Sequence, residues 1–349
     1  MIKFGIVGVG THARWAVMDA INKTAKNCRL VAACDICADN LKGLAEEGIK
    51  TFTDLNKMLD GVEMDALYVA TTAKTHYELT VSALRKGLHV ICEKPMADSI
   101  EKCEDMIKEA EKANRKLAIT FENRYHPEIR KIKEWIDAGY LGKVEAFHYH
   151  LFTSAYKTFG PRVDRRKRLL DLAGVLDCGI HTLDLARYFF GGDWMDICAR
   201  GAWFGEDLAN APHISILGRM TSGVMSTITY SYAYGAYFEA EAKNHMFTIV
   251  GNEGIIDYYS GGHTPSEMKL ISKNHKENFL IEGTAHKLAI GWLADDFAAV
   301  IEGKKEWPPE LASGYDGLKA QKIMEEALSQ TRNTKCAVDA AVPQPLTVS

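Results

Sequence analysis

The chain has 349 residues, 47% of them hydrophobic, and a formal net charge of -4 at pH 7. Its isoelectric point is near 6.3, so the chain is not one of the strongly basic proteins that bind nucleic acid or acidic membrane surfaces. No apolar run reaches the roughly 18 residues that a membrane span requires, and the length suffices for two domains. We therefore predict neither a nucleic-acid partner nor a membrane partner.

The chain opens with MIKFGIVGVG, where a strand pattern begins at residue 2, so we expect no cleavable secretory signal. The eight cysteines are irregularly spaced and lie in apolar runs, which indicates reduced thiols rather than a disulfide framework. Cys34 and Cys37 have the spacing of a redox pair but lack a thioredoxin-like context. These features predict a cytoplasmic protein.

Short apolar runs alternate with amphipathic helical stretches through the first third of the chain. The predicted strands are KFGIVGVG, RLVAACD, ALYVATT, HVICEKP and KLAITFEN. The helical stretches between them include THYELTVSALRKG and SIEKCEDMIKEAEKANR. This alternation predicts an α/β domain with a doubly wound parallel sheet and helices on both faces.

A glycine-rich turn follows the first predicted strand, at Gly8, Gly10 and Ala13. In this pattern the first glycine permits the tight turn, the second lets a pyrophosphate approach the backbone, and the alanine lets helix and strand pack closely. The pattern predicts a dinucleotide site, to which Thr11 and His12 also belong.

An acidic residue, Asp35, ends the second predicted strand about 20 residues beyond the turn, where the ribose hydroxyls of a dinucleotide are expected. A carboxylate there accepts hydrogen bonds from a 2'-hydroxyl and repels a 2'-phosphate. The next residues, Ile36 and Cys37, offer no arginine for a phosphate, so the sequence favours NAD over NADP.

The run HVICEKPMAD places Glu93, Lys94 and Pro95 directly after a strand that we count as the fourth. Ligands of open α/β sheets bind at the carboxyl ends of the strands, so Lys94 is expected to face the ligand crevice. An ammonium group there can stabilise an alkoxide as a hydride leaves its carbon.

The alternation of strand and helix patterns changes after about residue 124, and we predict domains at 1–122 and 123–349. HPEIRKIKEWIDAG and DCGIHTLDLARYFFGG are predicted helices, and KVEAFHYHLF is a predicted strand. From residue 212 onward a series of strands predicts a large, mostly antiparallel sheet. Two helices at roughly 286–303 and 314–330 complete the C-terminal α/β domain.

The helix DCGIHTLDLARYFF carries Asp177, His181 and Asp184 at positions i, i+4 and i+7 of one face. Ionisable groups on an otherwise apolar helix are costly unless they have a function. His181 has a suitable ordinary pKa for taking a hydroxyl proton near neutrality. Asp177 could bind a substrate hydroxyl or orient the imidazole.

A basic loop at 157–168 precedes that helix and would border a substrate pocket, where it could bind an anionic group or another subunit. His148 and His150 alternate on one face of a strand and could join His181 at a metal. Paired histidines on a strand more often belong to a sheet face or an interface, so we predict no metal site.

The chain resembles the Gfo/Idh/MocA oxidoreductases, the superfamily of glucose–fructose oxidoreductase and inositol dehydrogenase. The resemblance extends over nearly the whole chain and rests on GIVGVGTHA, ATTAKTHYE, EKPMA, FENRYHP, GVLDCGIHTLDL, FTIVGNEGII and GYDGLKAQKIMEEA. It implies an N-terminal Rossmann domain and a C-terminal domain whose large open sheet often forms an oligomer interface.

The resemblance also implies roles for individual residues. His181 would be the acid/base, and Lys94 and Asp177 would polarise and position the substrate. The chain departs from the family at Thr71-Thr72-Ala73, where Thr-Pro-Asn is common. The predicted cofactor-binding positions are Gly8, Gly10, Thr11, His12, Ala13, Asp35, Ile36, Thr71, Thr72, His76, Glu93, Lys94, Asn123 and Arg124.

These features predict an NAD-dependent dehydrogenase that oxidises a secondary hydroxyl of a sugar, sugar derivative or cyclitol. One alternative is a glycoside-cleaving enzyme that holds NAD and oxidises C3 transiently before elimination. A second alternative is a non-catalytic sensor of NAD and sugar, although a sensor need not keep Lys94, Asp177 and His181 together. The C-terminal strand GVMSTITYSYAY carries apolar or aromatic side chains on both faces, with Ile228, Tyr230, Tyr232 and Tyr234 on one of them. One face should cover the helices and the other should meet another subunit, which predicts a homodimer or homotetramer.

Overall fold

The computed structural model describes residues 1–152, 178–203, 209–231, 244–260, 265–281 and 285–339. It divides into two compact units, Met1–Lys131 with Thr284–Gln321 and Ile132–Gly283 with Lys322–Ser349. The first unit therefore includes a segment from near the end of the chain in addition to the N-terminal third. The predicted domain boundary after residue 122 remains a prediction.

The first unit is built on a six-stranded parallel sheet of order β3-β2-β1-β4-β5-β6. Its strands are β1 Ile2–Val7, β2 Cys28–Cys34, β3 Lys50–Phe52, β4 Ala66–Val69, β5 His89–Cys92 and β6 Leu117–Ile119. This arrangement confirms the predicted doubly wound sheet. Strand β3 was not predicted because it is a three-residue edge strand without an apolar run, so Lys94 follows the fifth strand rather than the fourth.

Helices and helical turns connect these strands and extend through both units. The segment after the glycine turn winds as two π-type helical stretches, Ala13–Met18 and Ala20–Thr24. The α-helices are α1 Leu55–Gly61, α2 Ala73–Arg85, α3 Ile100–Lys112, α4 Pro127–Asp137, α5 Ile180–Phe190, α6 His286–Ile301 and α7 Gly314–Asp339. Shorter 3-10 turns lie at Ala38–Leu41 and Glu122–Tyr125.

The core of the first unit lies between the sheet and the returning helix α6. Phe4 and Phe297 are both fully buried, with ring centroids 6.4 Å apart. Leu293 and Ala294 of the same helix belong to this apolar cluster, as does Ile91 of β5. Packing against α6 therefore stabilises the strands whose carboxyl ends carry the predicted cofactor residues.

The second unit contains an eight-stranded sheet of order β14-β13-β12-β11-β7-β10-β9-β8. Its strands are β7 Val144–Phe152, β8 Trp194–Ala202, β9 His213–Met220, β10 Met225–Ser231, β11 Asn244–Gly251, β12 Gly254–Ser260, β13 Ser266–Ser272 and β14 Lys276–Ile281. Among the strands that the structure describes in this sheet, only β7 and β10 pair in parallel, so the predicted, mostly antiparallel sheet is confirmed. Strand β8 was not predicted, because its polar and glycine residues interrupt the apolar pattern.

The two faces of this sheet differ in exposure. One face buries an aromatic cluster in which Phe147 contacts Phe189 of α5 and Phe247 of β11. The other face carries exposed apolar side chains, including Leu217, which is 47% exposed, and Tyr259, which is 44% exposed. Within the described ranges, no helix has the length and apolarity to cross a bilayer.

Candidate functional site

The glycine turn follows β1 and becomes exposed from Gly10 onward. Gly8 has a φ of 87°, and a Cβ there would lie 2.8 Å from the carbonyl of Ala70, so the turn requires glycine. A Cβ at Gly10 would meet no atom within 4 Å, so the space beside its backbone is open. Ala13 is only 2% exposed and packs in the core. The turn therefore offers open backbone to a ligand group, as the predicted pyrophosphate site requires.

Asp35 follows β2 and holds the glycine turn directly. Its Oδ2 accepts a hydrogen bond from the amide of Val9 at 2.7 Å, and its Oδ1 accepts one from the amide of Cys37 at 2.8 Å. Each carboxylate oxygen has a second lone pair, so the group can also accept from ribose hydroxyls. The adjacent Ile36 is 95% exposed.

Glu93 and Lys94 come directly after β5, at the same edge of the sheet. The hydroxyl of Tyr68 donates to Oε1 of Glu93 at 2.9 Å, and the amide of Lys94 donates to Oε2 at 3.3 Å. The amide of Lys94 also lies 3.1 Å from Oγ1 of Thr120, which follows β6. The backbone from which the Lys94 side chain extends is thus held by groups from two neighbouring strands.

His12 joins the glycine turn to this second strand end. Its Nε2 lies 3.8 Å from Oε1 of Glu93. The ion pair with Glu93 raises the pKa of His12 against the opposing effect of burial. Burial alone raises the pKa of Glu93, but the ion pair with His12 and the charge of Lys94 outweigh it and lower that pKa to about 2. Glu93 is therefore ionised at neutral pH.

The remaining predicted positions of the first unit differ in accessibility. The hydroxyl of Thr75 donates hydrogen bonds to Oγ1 of Thr71 at 2.8 Å and to the carbonyl oxygen of Thr72 at 3.0 Å. His76 has no exposed surface. Asn123, within the turn after β6, is half-buried.

Arg124 is committed to internal contacts of the first unit. It is 4% exposed, its Nη1 donates to the carbonyl of Pro309 at 2.9 Å, and its Nη2 lies 3.3 Å from Oδ1 of Asp316. Both partners lie in the segment that returns from near the end of the chain. A direct role of its guanidinium in cofactor binding remains a prediction.

Two residues at this site were missed by the sequence reasoning, Tyr68 and Thr120. Tyr68 is fully buried inside β4, and a buried tyrosine hydroxyl requires a hydrogen-bond partner. The available signal was the tyrosine within the apolar run ALYVATT. Thr120 is 1% exposed and follows a strand end as Glu93 does. Their contacts with the Glu93–Lys94 segment depend on strand order, which no local pattern gives.

His181 and Asp184 belong to the second unit, in helix α5. They are 7% and 1% exposed, so two ionisable side chains of this helix are buried as the apolar surroundings predicted. Asp177 lies outside the described residues, as do the basic loop at 157–168 and Tyr232 and Tyr234. Among the side chains that the structure describes, no group of three or more His, Cys, Asp or Glu is arranged to hold a metal ion.

The strand order, the glycine turn and the acid after β2 together define a dinucleotide-binding Rossmann domain, joined to a second unit built on an open sheet. Residues 2–121 match the family model described as the oxidoreductase family with an NAD-binding Rossmann fold. Residues 129–257 match the GFO/IDH/MocA C-terminal domain. The chain belongs to the Gfo/Idh/MocA family of NAD-binding oxidoreductases, as its motifs predicted.

Two curated relatives align along nearly the whole chain. Myo-inositol 2-dehydrogenase of Thermotoga maritima is 24% identical over 96% of this chain and 98% of its own length. Glucose-6-phosphate 3-dehydrogenase of Bacillus subtilis is 27% identical over 100% of this chain and 99% of its own length.

A solved structure shares the fold. It is an oxidoreductase from Agrobacterium radiobacter in complex with NAD+, L-tartaric acid and magnesium, with a TM-score of 0.82 and 22% identity. The alignment covers 95% of this chain and 97% of that one.

Proposed function

We propose that this oxidoreductase is an NAD-dependent dehydrogenase that oxidises a secondary hydroxyl of a sugar, sugar derivative or cyclitol. The observation that carries the proposal is the Glu93–Lys94 strand end. It presents a lysine on a braced backbone at the ligand edge of an NAD-binding sheet.

The described residues fit NAD. Gly8 and Gly10 give the open turn for the diphosphate, and Asp35 retains accepting lone pairs for the ribose hydroxyls. The carboxylate also disfavours a 2'-phosphate, which supports NAD over NADP. When bound, NAD supplies the acceptor for the two electrons and the hydrogen removed from the substrate carbon.

The residues of the chain would act on the substrate oxygen. His181, as a neutral imidazole, accepts the hydroxyl proton, which is general-base catalysis. The ammonium of Lys94 stabilises the negative charge that grows on the oxygen. Asp177 would bind a second hydroxyl and fix which carbon is oxidised. These roles follow from the family resemblance and from the residue chemistry.

The names of the relatives support polyols as the substrate class. Inositol, glucose 6-phosphate and, in a 29% identical relative from Paraburkholderia graminis, D-apiose are the compounds named. All three are rich in hydroxyl groups, so the substrate class that they share is the polyols.

A substrate screen tests the proposal. Purified protein with NAD is incubated with inositols, free sugars, sugar phosphates and aryl glycosides, and NADH absorbance and aglycone release are followed together. NADH formation from a free polyol supports the dehydrogenase. Release of aglycone without net NADH would contradict it in favour of transient C3 oxidation, and saturable sugar binding without either product would favour a sensor.

The open face of the second sheet supports a proposal about assembly. Exposed Leu217, Met225, Tyr259 and Ile271 lie on strands β9, β10, β12 and β13 of one sheet. Exposed apolar side chains spread over one sheet face favour burial against a partner. We propose a homodimer or homotetramer of a cytoplasmic enzyme, with this face at the subunit contact.

A further inference from the structure

His76 of helix α2 is fully buried and bonded to the turn that carries Lys94. Its Nδ1 lies 2.9 Å from the carbonyl oxygen of Pro95. Because a carbonyl oxygen can only accept, Nδ1 must carry the proton and donate. Burial lowers the pKa of His76 and outweighs its contacts with the backbone of Pro95 and Thr71 and the charge of Glu93, so the ring is neutral at pH 7.

The backbone around Lys94 is thus fixed on both sides by side chains. The amide of Lys94 donates to Thr120 and to Glu93, and the carbonyl of the following residue, Pro95, accepts from His76. Three elements contribute these contacts: the ends of β5 and β6 and helix α2. A catalytic side chain gains from such support, since a displacement of about 1 Å can cost roughly a hundredfold in rate.

The second ring nitrogen of His76 argues against a role in stability alone. Among the described residues, Nε2 of His76 is buried without a hydrogen-bond partner. An unsatisfied buried acceptor is destabilising. An apolar residue of similar size would avoid this cost but could not donate to Pro95.

We propose that His76 is a positioning residue for the dehydrogenase reaction, acting through the Pro95 carbonyl on Lys94. This inference rests on the proposed catalytic role of Lys94. The imidazole of His76 has no exposed surface, and its donor atom contacts the protein backbone at Pro95.

Two substitutions separate the donor from the bulk of the side chain. His76→Leu fills the site without a donor, whereas His76→Asn keeps an N–H donor at the δ position. With the polyol identified by the screen, His76→Leu should lower kcat by about tenfold to a hundredfold. His76→Asn should recover most of that loss. The Kd of NAD should stay within about twofold of the wild-type value, and a larger increase would instead support the direct cofactor contact that the sequence predicted for His76.

His89→Leu is the matched control. His89 begins the same strand β5 and also uses Nδ1 for one backbone contact, with the amide of Lys116 at 3.0 Å, but at the opposite end of the strand. The His89→Leu substitution should lower the melting temperature of the protein without lowering its kcat. If His76→Leu lowers kcat no more than His89→Leu does, the positioning role is refuted.

A second readout needs no substrate. Acetylation by N-hydroxysuccinimidyl acetate, followed by mass spectrometry of the peptide that contains Lys94, reports the accessibility of its ammonium group. His76→Leu should raise the labelling rate of Lys94 about threefold or more, while the rate at exposed Lys86 stays constant. An unchanged Lys94 rate would overturn the inference, whereas a wild-type protein inactive on every polyol would overturn the proposed function alone.

Discussion

Glu93→Gln tests whether a buried, ionised carboxylate holds the strand end that carries Lys94. The glutamine can still accept from Tyr68 at one atom, but its NH2 group cannot accept from the amide of Lys94. The substitution also removes the negative charge beside His12. Shape is nearly conserved, so the main changes are the charge and one hydrogen bond.

The expected loss of stability follows from the pKa of Glu93. A decrease from 4.5 to about 2 corresponds to about 3 kcal/mol of stabilisation of the ionised form in the folded protein. The His12 side chain is 47% exposed, so solvent screens part of this interaction. We expect Glu93→Gln to lower the free energy of unfolding by about 1–3 kcal/mol at pH 7.

The pH dependence has a defined sign. Folding lowers the pKa of Glu93, so its contribution is complete above the ordinary pKa of 4.5 and is lost as the pH falls toward 2. The difference between the wild type and Glu93→Gln should therefore shrink by roughly two fifths between pH 7 and pH 3.5. In the variant, the pKa of His12 should fall toward its ordinary value, because Glu93 is the main cause of its increase.

Urea unfolding of the NAD-free protein at both pH values measures the stability difference, and NMR titration of the histidine ring protons measures the pKa of His12. Glu63→Gln is the control, since the Glu63 side chain is 90% exposed and pairs with Lys3 at the surface. It should change stability by less than about 1 kcal/mol. Equal stability of Glu93→Gln and wild type at pH 7, or a difference independent of pH, would refute the reasoning.

Three further predictions concern the cofactor and assembly. Asp35→Ala should weaken NAD more than NADP in binding titrations, because the carboxylate serves the ribose diol; equal changes would contradict the placement of Asp35. His12 lies beside the glycine turn and is cationic only below its raised pKa, so NAD affinity should fall up to about fivefold as the pH rises through that pKa. Calorimetry should show a flatter pH dependence of NAD binding for His12→Gln. Light scattering at micromolar concentration should give the mass of a dimer or tetramer, and a monomer mass would exclude the proposed use of the open sheet face.

Local patterns predicted the parts of the site that lie next to a strand in the sequence. The glycine turn, Asp35 and Glu93–Lys94 each follow an apolar run whose end is visible in the sequence. The short strand Lys50–Phe52 escaped prediction because three residues show no periodicity. Strand Trp194–Ala202 escaped because exposed polar residues interrupt its alternation.

Contacts between distant segments could not be predicted from one sequence. The Thr120 contact with Lys94 depends on the pairing of β5 with β6, and the Arg124 contacts depend on the return of residues 284–321 to the first unit. Arg124 was predicted from resemblance alone, and its burial in internal hydrogen bonds is visible only in three dimensions. Sequence patterns indicate which residues are candidates for binding or catalysis. The packing of distant segments determines which hydrogen bonds hold those residues in place.

Lys94→Met in single-turnover kinetics tests the central claim, that Lys94 acts on the oxidised hydroxyl, most directly. Methionine keeps the length and apolar stem of lysine and removes its charge. With the polyol found in the screen and saturating NAD, the rate of NADH formation should fall by roughly two to four powers of ten, while the Kd of NAD changes only modestly. A rate near that of the wild type would contradict the account and make Lys94 a structural lysine at the end of a strand.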